Sequence, residues 1–313
     1  MNDLRIIYMG TPEFAVPPLK KLIEHDFKVV AVITAPDKPK GRGQKIGTSP
    51  VKDYAESQGL PILQPTNLKD PAFLEQLASY NANLQVVVAF RMLPEVVWNM
   101  PQLGTFNLHA SLLPSYRGAA PINWAIINGE KETGVTTFFL NHDIDTGDII
   151  FQEREPIHED DTAGTLYERL MHKGADLVLK TVRMIAEGKH TTQKQPQVKL
   201  KNTPKIFKED CKINWNMPAE AVINFIRGLS PYPAAWTILD GKTLKVYKVS
   251  AVEDDAQNLS PGEYVTDNKR YLHYKAKDKL ISIEDLQLEG KKRMDVGAFL
   301  RGTKLENNKD EQL

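Results

Sequence analysis

Cysteine is nearly missing from this sequence. Cys211 is the single thiol among 313 residues, so the chain can form neither an internal disulfide nor a thiolate metal site. That usage fits a reducing compartment. Net charge is missing as well: 40 basic and 40 acidic side chains cancel. No global field therefore advertises a nucleic-acid partner, although a local basic surface can still serve one. No apolar run is long enough to span a bilayer. The opening MNDLRIIYMG has no basic segment followed by a long apolar one. The expectation is a cytoplasmic protein with no membrane partner, and nothing in the chain demands more than a monomer.

Two cofactor signatures are absent too. YMGTPEF opens like a dinucleotide loop, but only Gly10 is present; Pro12 and Ala15 stand at the other two glycine positions. Pro12 has no amide proton to offer a phosphate. GRGQKIGTS contains glycines and a lysine without the spacing of a phosphate loop. His142 and Asp143 are adjacent, but there is no H-E-x-x-H and no cysteine pair, so no metal is expected.

What is present is an alternation of strand and helix patterns. Leu4–Met9, Phe27–Thr34, Leu84–Phe90 and Gly104–His109 read as buried strands, and residues 14–23, 51–58 and 73–80 as helices. Pro17 and Pro18 fall near a helix start, where proline is tolerated. Such alternation predicts a parallel sheet with helices on both faces. Gly134–Leu140 and Asp148–Glu153 add strand-like runs, and Leu166–Glu187 reads as a long amphipathic helix. Lys189–Lys208 is polar, has two prolines and shows no sustained period, so it reads as a linker. Beyond it come one helix, Ala219–Gly228, and several short β-type runs. These suggest a small barrel or sandwich.

The residues able to do chemistry lie in two segments. In FNLHASLLPSYRGAAP, period-two alternation puts Asn107 and His109 on one face at the end of a strand. A core strand avoids that pattern, because buried amides and imidazoles need partners. The second segment is the turn Asp143-Ile-Asp145-Thr-Gly-Asp148. Taken singly, each residue has a plain reading: a structural histidine, a loop-capping asparagine, an ordinary Asp-Gly turn. Together, an amide N–H for a developing oxyanion, an imidazole and a carboxylate make a toolkit without a nucleophile. It suffices where the substrate brings its own, such as an amine. Sequence spacing does not show that Asp145 reaches His109.

The pattern NLHASLLPSYRGAAP resembles the folate-dependent formyltransferases. GTPEFAVPPL, APDKPKGRGQK, GVTTFFL, DTGDII, INW, SPYPAAW and GKKRM extend the resemblance over nearly the whole chain. The basic loop and the C-terminal motifs resemble those of the members that act on initiator methionyl-tRNA. The resemblance implies a Rossmann-like α/β domain over residues 1–188, a basic linker over 189–208 and an OB-like barrel that binds tRNA over 209–313. It implies 10-formyltetrahydrofolate as formyl donor, Asn107, His109 and Asp145 as the catalytic trio, and Ser111, Leu112, Leu113 and Pro114 as the folate-binding loop. Arg42, with Lys40 and Lys45 beside it, matches the basic loop that meets the tRNA acceptor stem. The chain departs from the family in two places. Ala89-Phe90-Arg91-Met92-Leu93-Pro94 is one residue shorter than the segment that lines the pterin pocket. Asp143-Ile144 also stands where a Gly-Leu usually precedes Asp-Thr-Gly.

The charge pattern is consistent with this without requiring it. Residues 36–52 carry five basic side chains and one acidic one, and the linker carries six lysines and no acid. Residues 209–313 are balanced, with 16 basic and 17 acidic side chains, so only local clusters such as Lys291-Lys292-Arg293 could serve RNA there. Three other readings stay open: formyl transfer to a small amine, a non-catalytic RNA-binding protein, and a folate hydrolase.

Overall fold

The apolar runs of the N-terminal half pair into one seven-stranded sheet in a computed structural model that describes residues 4–40, 45–196, 201–253 and 258–305. From edge to edge the strands are Ile149–Pro156, Glu132–Phe139, Thr105–His109, Leu84–Val88, Arg5–Gly10, Lys28–Ile33 and Ile62–Leu63. The chain runs outward from Arg5–Gly10 in one direction. It then returns to the other side of that strand at Leu84–Val88, which creates a topological switch point. The last five strands of that order are parallel. The sheet is thus of the expected parallel type, extended at one side by an antiparallel pairing of Thr105–His109 with Glu132–Phe139.

Local chemistry sets the helices. Ser49 and Asp70 cap helices Pro50–Ser57 and Pro71–Ser79, accepting from the Lys52 and Ala72 amides, with proline at the first helical position of each. One face of the sheet buries Ile7, Met9, Ala31, Ile33 and Val87 against Phe73 and Leu77 of the latter helix. The long helix Ala163–Ala186 carries Arg169 and Lys173 four residues apart on one face. They hold the buried Glu155 carboxylate of the edge strand, at 2.7 and 3.1 Å.

The chain divides into two compact units. One comprises Met1–Gly118, Thr133–Pro156 and Tyr167–Asn202; the other comprises Ala119–Glu132, Ile157–Leu166 and Thr203–Leu313. In the second unit an antiparallel, OB-like sheet has the order Ala235–Leu239, Lys242–Val252, Leu280–Leu288, Leu272–Lys275, Tyr264–Thr266, with Met294–Asp295 paired to Leu280–Leu288. Helix Ala219–Leu229 supplies Val222, Ile226 and Leu229 to its core. A short helix that the periodicity does not reveal, Pro121–Ile127, lies beside it, and the Asn123 amide donates to the Gly228 carbonyl at 2.7 Å. At the centre of the core Trp215 stacks on Tyr274, with ring centroids 4.7 Å apart. Among the described residues no helix is long and apolar enough to cross a membrane.

Two side chains make the energetics testable. Burial pushes the Tyr274 phenol far above its usual range, and its hydroxyl has no hydrogen-bond partner among the described residues. An unsatisfied buried hydroxyl costs about 1–3 kcal/mol. Tyr274→Phe is therefore expected to match or exceed the wild type by about 1 kcal/mol in urea unfolding; a clear loss of stability would show that the hydroxyl is satisfied. Burial by itself would raise the Glu155 carboxyl, but Arg169 and Lys173 overcome that and hold it below the ordinary 4.5. A carboxyl depressed on folding adds stability above its unfolded value, and that stability is lost as pH falls through the lower folded value. Glu155→Gln should consequently be less stable than the wild type above pH 4.5, with the gap closing in more acidic buffer. A gap independent of pH would remove the ion-pair explanation.

Candidate active site

Strand Thr105–His109 presents two chemically different faces. Leu108 points one way and is buried against Gly174 of helix Ala163–Ala186, where an added Cβ would come within 2.7 Å of Leu108 Cδ2. A helical glycine costs about 1 kcal/mol relative to alanine. What it permits is close contact between helix and strand, which fixes the roll of the strand. Asn107 and His109 then necessarily face the other way. Asn107 sits between Val87 and Phe138 in the sheet, and its Oδ1 is buried without a hydrogen-bond partner among the described residues.

His109 is buried, and its ring is already oriented. Its Nε2 lies 2.8 Å from the carbonyl oxygen of Tyr116. A carbonyl can only accept, so Nε2 carries the hydrogen. The neutral ring therefore keeps its lone pair on Nδ1, and that atom faces Asp145, with Nδ1 to Oδ2 at 3.9 Å. The separation is too long for a hydrogen bond. Such contacts are often long in the absence of substrate and tighten in its presence.

Asp145 reaches His109 by an unexpected route. Both segments follow strand-like runs in the sequence, Gly104–His109 and Gly134–Leu140. Asp145 does follow the carboxyl end of Glu132–Phe139, but that strand is antiparallel, and its register sets Phe139 opposite Phe106 and Thr136 opposite His109. The loop therefore starts beside the wrong end of the strand and must fold back along it. Two features allow the return. Asp145 adopts a left-handed backbone conformation, φ 55°, which aspartate tolerates better than most residues. Gly147 lies directly against the Phe139 carbonyl, leaving no room for a Cβ. Asp143 and Ile144, which replace the family's usual Gly-Leu, are not among the positive-φ residues, so the missing glycine imposes no backbone strain. The Gly118 amide donates to Asp145 Oδ2 at 3.1 Å, and Gln195 Nε2 donates to the carbonyls of Asp145 and Gly147 at 2.9 and 2.8 Å.

The Ser111–Pro114 loop is braced from within. The Ser111 hydroxyl is fully buried and donates to the Ser115 carbonyl at 2.7 Å. Thr136 Oγ1 donates to the Ser111 carbonyl and accepts from the Leu113 amide and from Gln152 Nε2, which also donates to the Leu113 carbonyl. Leu113 is buried with Phe138 and Ile149. Leu112 and Pro114 are half-buried, and the Leu113–Pro114 peptide is cis. Tyr116, Gly118, Thr136, Gln152 and Gln195 were not foreseen. Tyr116 and Gly118 act through their main chains, which no side-chain pattern reveals. Gln195 lies in a stretch without periodicity.

The shortened segment has its own order. Ala89 is left-handed, φ 47°. Arg91 donates to the Pro65 and Thr66 carbonyls, Leu93 is buried, and Met92 is exposed. In the basic loop, Lys38–Lys40 and Lys45–Gly47 form an antiparallel pair with Lys40 opposite Lys45; Arg42 lies outside the described residues. Lys52 pairs with Asp37, so those two charges in the loop's count cancel locally. In the second unit, Arg293 is held by Asp285 at 2.9 Å and lies over the Tyr247 ring. Among the described residues no group of three or more His, Cys, Asp or Glu side chains could hold a metal ion.

Comparison with known proteins accounts for both units. Residues 4–182 match the family model "Formyl transferase" and residues 205–304 match "Formyl transferase, C-terminal domain". The methionyl-tRNA formyltransferase of Bacteroides fragilis is 54% identical, covering 96% of this chain and 95% of its own length. That of Phocaeicola vulgatus is 56% identical and covers 98% of each chain. Among solved structures, an N-formyltransferase from Helicobacter canadensis, in complex with folinic acid and dTDP-3-aminofucose, shares the fold at 23% identity. Its TM-score is 0.66, over 90% of this chain and 99% of that one. HypX from Aquifex aeolicus, in complex with tetrahydrofolic acid, does so at 18% identity and TM-score 0.65, over 97% of this chain and 49% of that one. With both family models matched in order and relatives this similar along the full length, the chain belongs to the formyl transferase family, in the branch of the methionyl-tRNA formyltransferases.

Proposed function

We propose that this chain transfers the formyl group of 10-formyltetrahydrofolate to the α-amino group of initiator methionyl-tRNA, in the cytoplasm, for the start of protein synthesis. The observation that carries the reading is the meeting of His109 and Asp145 at 3.9 Å on the strand face that also presents Asn107. The relatives from Bacteroides fragilis and Phocaeicola vulgatus, methionyl-tRNA formyltransferases similar along the full length, make tRNA the acceptor to test first.

The donor, when bound, supplies a formyl carbon already at the oxidation level of the product. The protein's task is to manage charge and one proton. The attacking amine must give up a proton, and the nitrogen that loses the formyl group must regain one. Asn107 donates an amide N–H to the formyl oxygen as negative charge develops there. His109 serves the same oxygen or the proton transfer through Nδ1, because Nε2 is committed to Tyr116. Asp145 stabilises the ring when Nδ1 is protonated. The Asn107 Oδ1, buried without a partner among the described residues, fits a pocket that a polar ligand completes. Leu112 and Pro114, half-buried on a loop braced by Thr136 and Gln152, are the side chains of Ser111–Pro114 left to line a pterin, while Ser111 and Leu113 hold the loop itself.

The acceptor is gripped elsewhere. Lys40 and Lys45 stand on the paired strands of the hairpin proposed to meet the acceptor stem, Arg42 falls between them in the sequence, and the OB-like unit is proposed to hold the body of the tRNA.

Asn107→Ala and His109→Ala should each lower single-turnover formylation of charged initiator tRNA by about 100-fold or more, with folate binding retained. Near-normal transfer by either variant would refute its role, and formate release without formylmethionine would favour a hydrolase. Each phosphate contact steepens the salt dependence of binding by about 0.7–0.9 in log–log slope. Arg42→Ala should flatten the slope for methionyl-tRNA by about that amount. An unchanged slope with unchanged formylation would take the hairpin out of recognition.

A further inference from the structure

We infer that Gln195, in the stretch that reads as a featureless linker, is a positioning residue for Asp145, so that the linker's first segment is part of the machinery for formyl transfer. The inference rests on the function proposed above. Its structural basis is a closed ring of hydrogen bonds around the returning loop.

One nitrogen of Gln195 serves two carbonyls. Its Nε2 lies 2.9 Å from the Asp145 carbonyl and 2.8 Å from the Gly147 carbonyl, and a primary amide has one hydrogen for each. The other end of the amide is fixed as well. Gln195 Oε1 accepts from Arg117 Nη2 at 2.6 Å. A guanidinium can only donate, so the oxygen must face Arg117 and the NH2 must face the loop. No flipped arrangement satisfies both neighbours. The backbone delivers the side chain to this place, since Gln193 exchanges two 2.8 Å hydrogen bonds with Ile149, just beyond the loop.

Residues 116–118 close the ring. The Tyr116 carbonyl holds His109, Arg117 orients Gln195, and the Gly118 amide donates to the Asp145 carboxylate. Imidazole and carboxylate are thus set by Tyr116 and Gly118 on one side. The main chain of Asp145 is set by Gln195 on the other. That main chain needs holding, because Asp145 is left-handed at φ 55° and its loop runs back along an antiparallel strand. A left-handed non-glycine residue persists where its surroundings over-determine it. Among the described residues, Gln195 is the side chain that donates to the carbonyls on both sides of Thr146.

The discriminating substitution is Gln195→Glu. It keeps the length and the acceptor facing Arg117, but it turns a second oxygen, without a hydrogen, towards the two carbonyls. Displacing a reacting group by about 1 Å costs roughly 100-fold in rate. Gln195→Glu should therefore lower kcat for formylation of methionyl-tRNA by about 10- to 100-fold, with KM for both substrates within about twofold. Because the residue acts through Asp145, the double variant Gln195→Glu/Asp145→Asn should lose no more than Asp145→Asn alone. Losses that multiply, or a kcat equal to the wild type, would overturn the inference. A second measurement does not depend on activity. Amide hydrogen exchange over residues 143–148 should be faster in Gln195→Glu than in the wild type, and unchanged protection would equally overturn it. If wild-type protein formylates no methionyl-tRNA, the proposed function fails, while the exchange measurement still decides whether Gln195 holds the loop.

Discussion

The hydrogen bond from His109 Nε2 to the Tyr116 carbonyl is the contact on which the rest of the site depends. It assigns the tautomer of a buried ring with a single main-chain oxygen. It also decides which nitrogen can exchange a proton, and therefore from which side a carboxylate must approach. Tyr116 is itself left-handed, φ 61°, as is Asp145. Two non-glycine residues in a sparsely populated backbone region thus flank one imidazole. Strain of this kind gathers where the surrounding structure fixes a reactive geometry in advance.

Close approach of backbone elements makes that geometry possible. Gly174 lets a helix come down on Leu108, and Gly147 lets the returning loop touch the Phe139 carbonyl. Both contacts exclude a side chain rather than add one. Thr136 works in the same economical way. One buried hydroxyl ties the Ser111 carbonyl, the Leu113 amide and the exposed Gln152 together, so the loop after the strand is braced at three points.

Charge tells a different story in three dimensions than in a count. The basic segment over residues 36–52 loses one lysine, Lys52 in helix Pro50–Ser57, to Asp37, and the cluster at Lys291–Arg293 commits its arginine to Asp285. Basic residues that remain for a polyanion are fewer than composition suggests, which suits a protein whose net charge is zero.

Sequence by itself determined the main alternating strands and helices, the face shared by Asn107 and His109, and the family. These follow from local rules: a period of two sends Asn107 and His109 to the same side, alternating strand and helix periods mark the main elements, and NLHASLLPSYRGAAP is contiguous. Tertiary structure alone decided that Glu132–Phe139 runs antiparallel, that the Asp145 loop doubles back to His109, and that Tyr116, Gly118 and Gln195 hold the two groups. The short helix Pro121–Ile127 and the ordered start of the linker were equally hidden. The physical reason is the same in each case. Strand direction, loop return and main-chain hydrogen bonds depend on residues tens of positions apart. A carbonyl or an amide is present at almost every position, so nothing in the side-chain pattern marks the few that act.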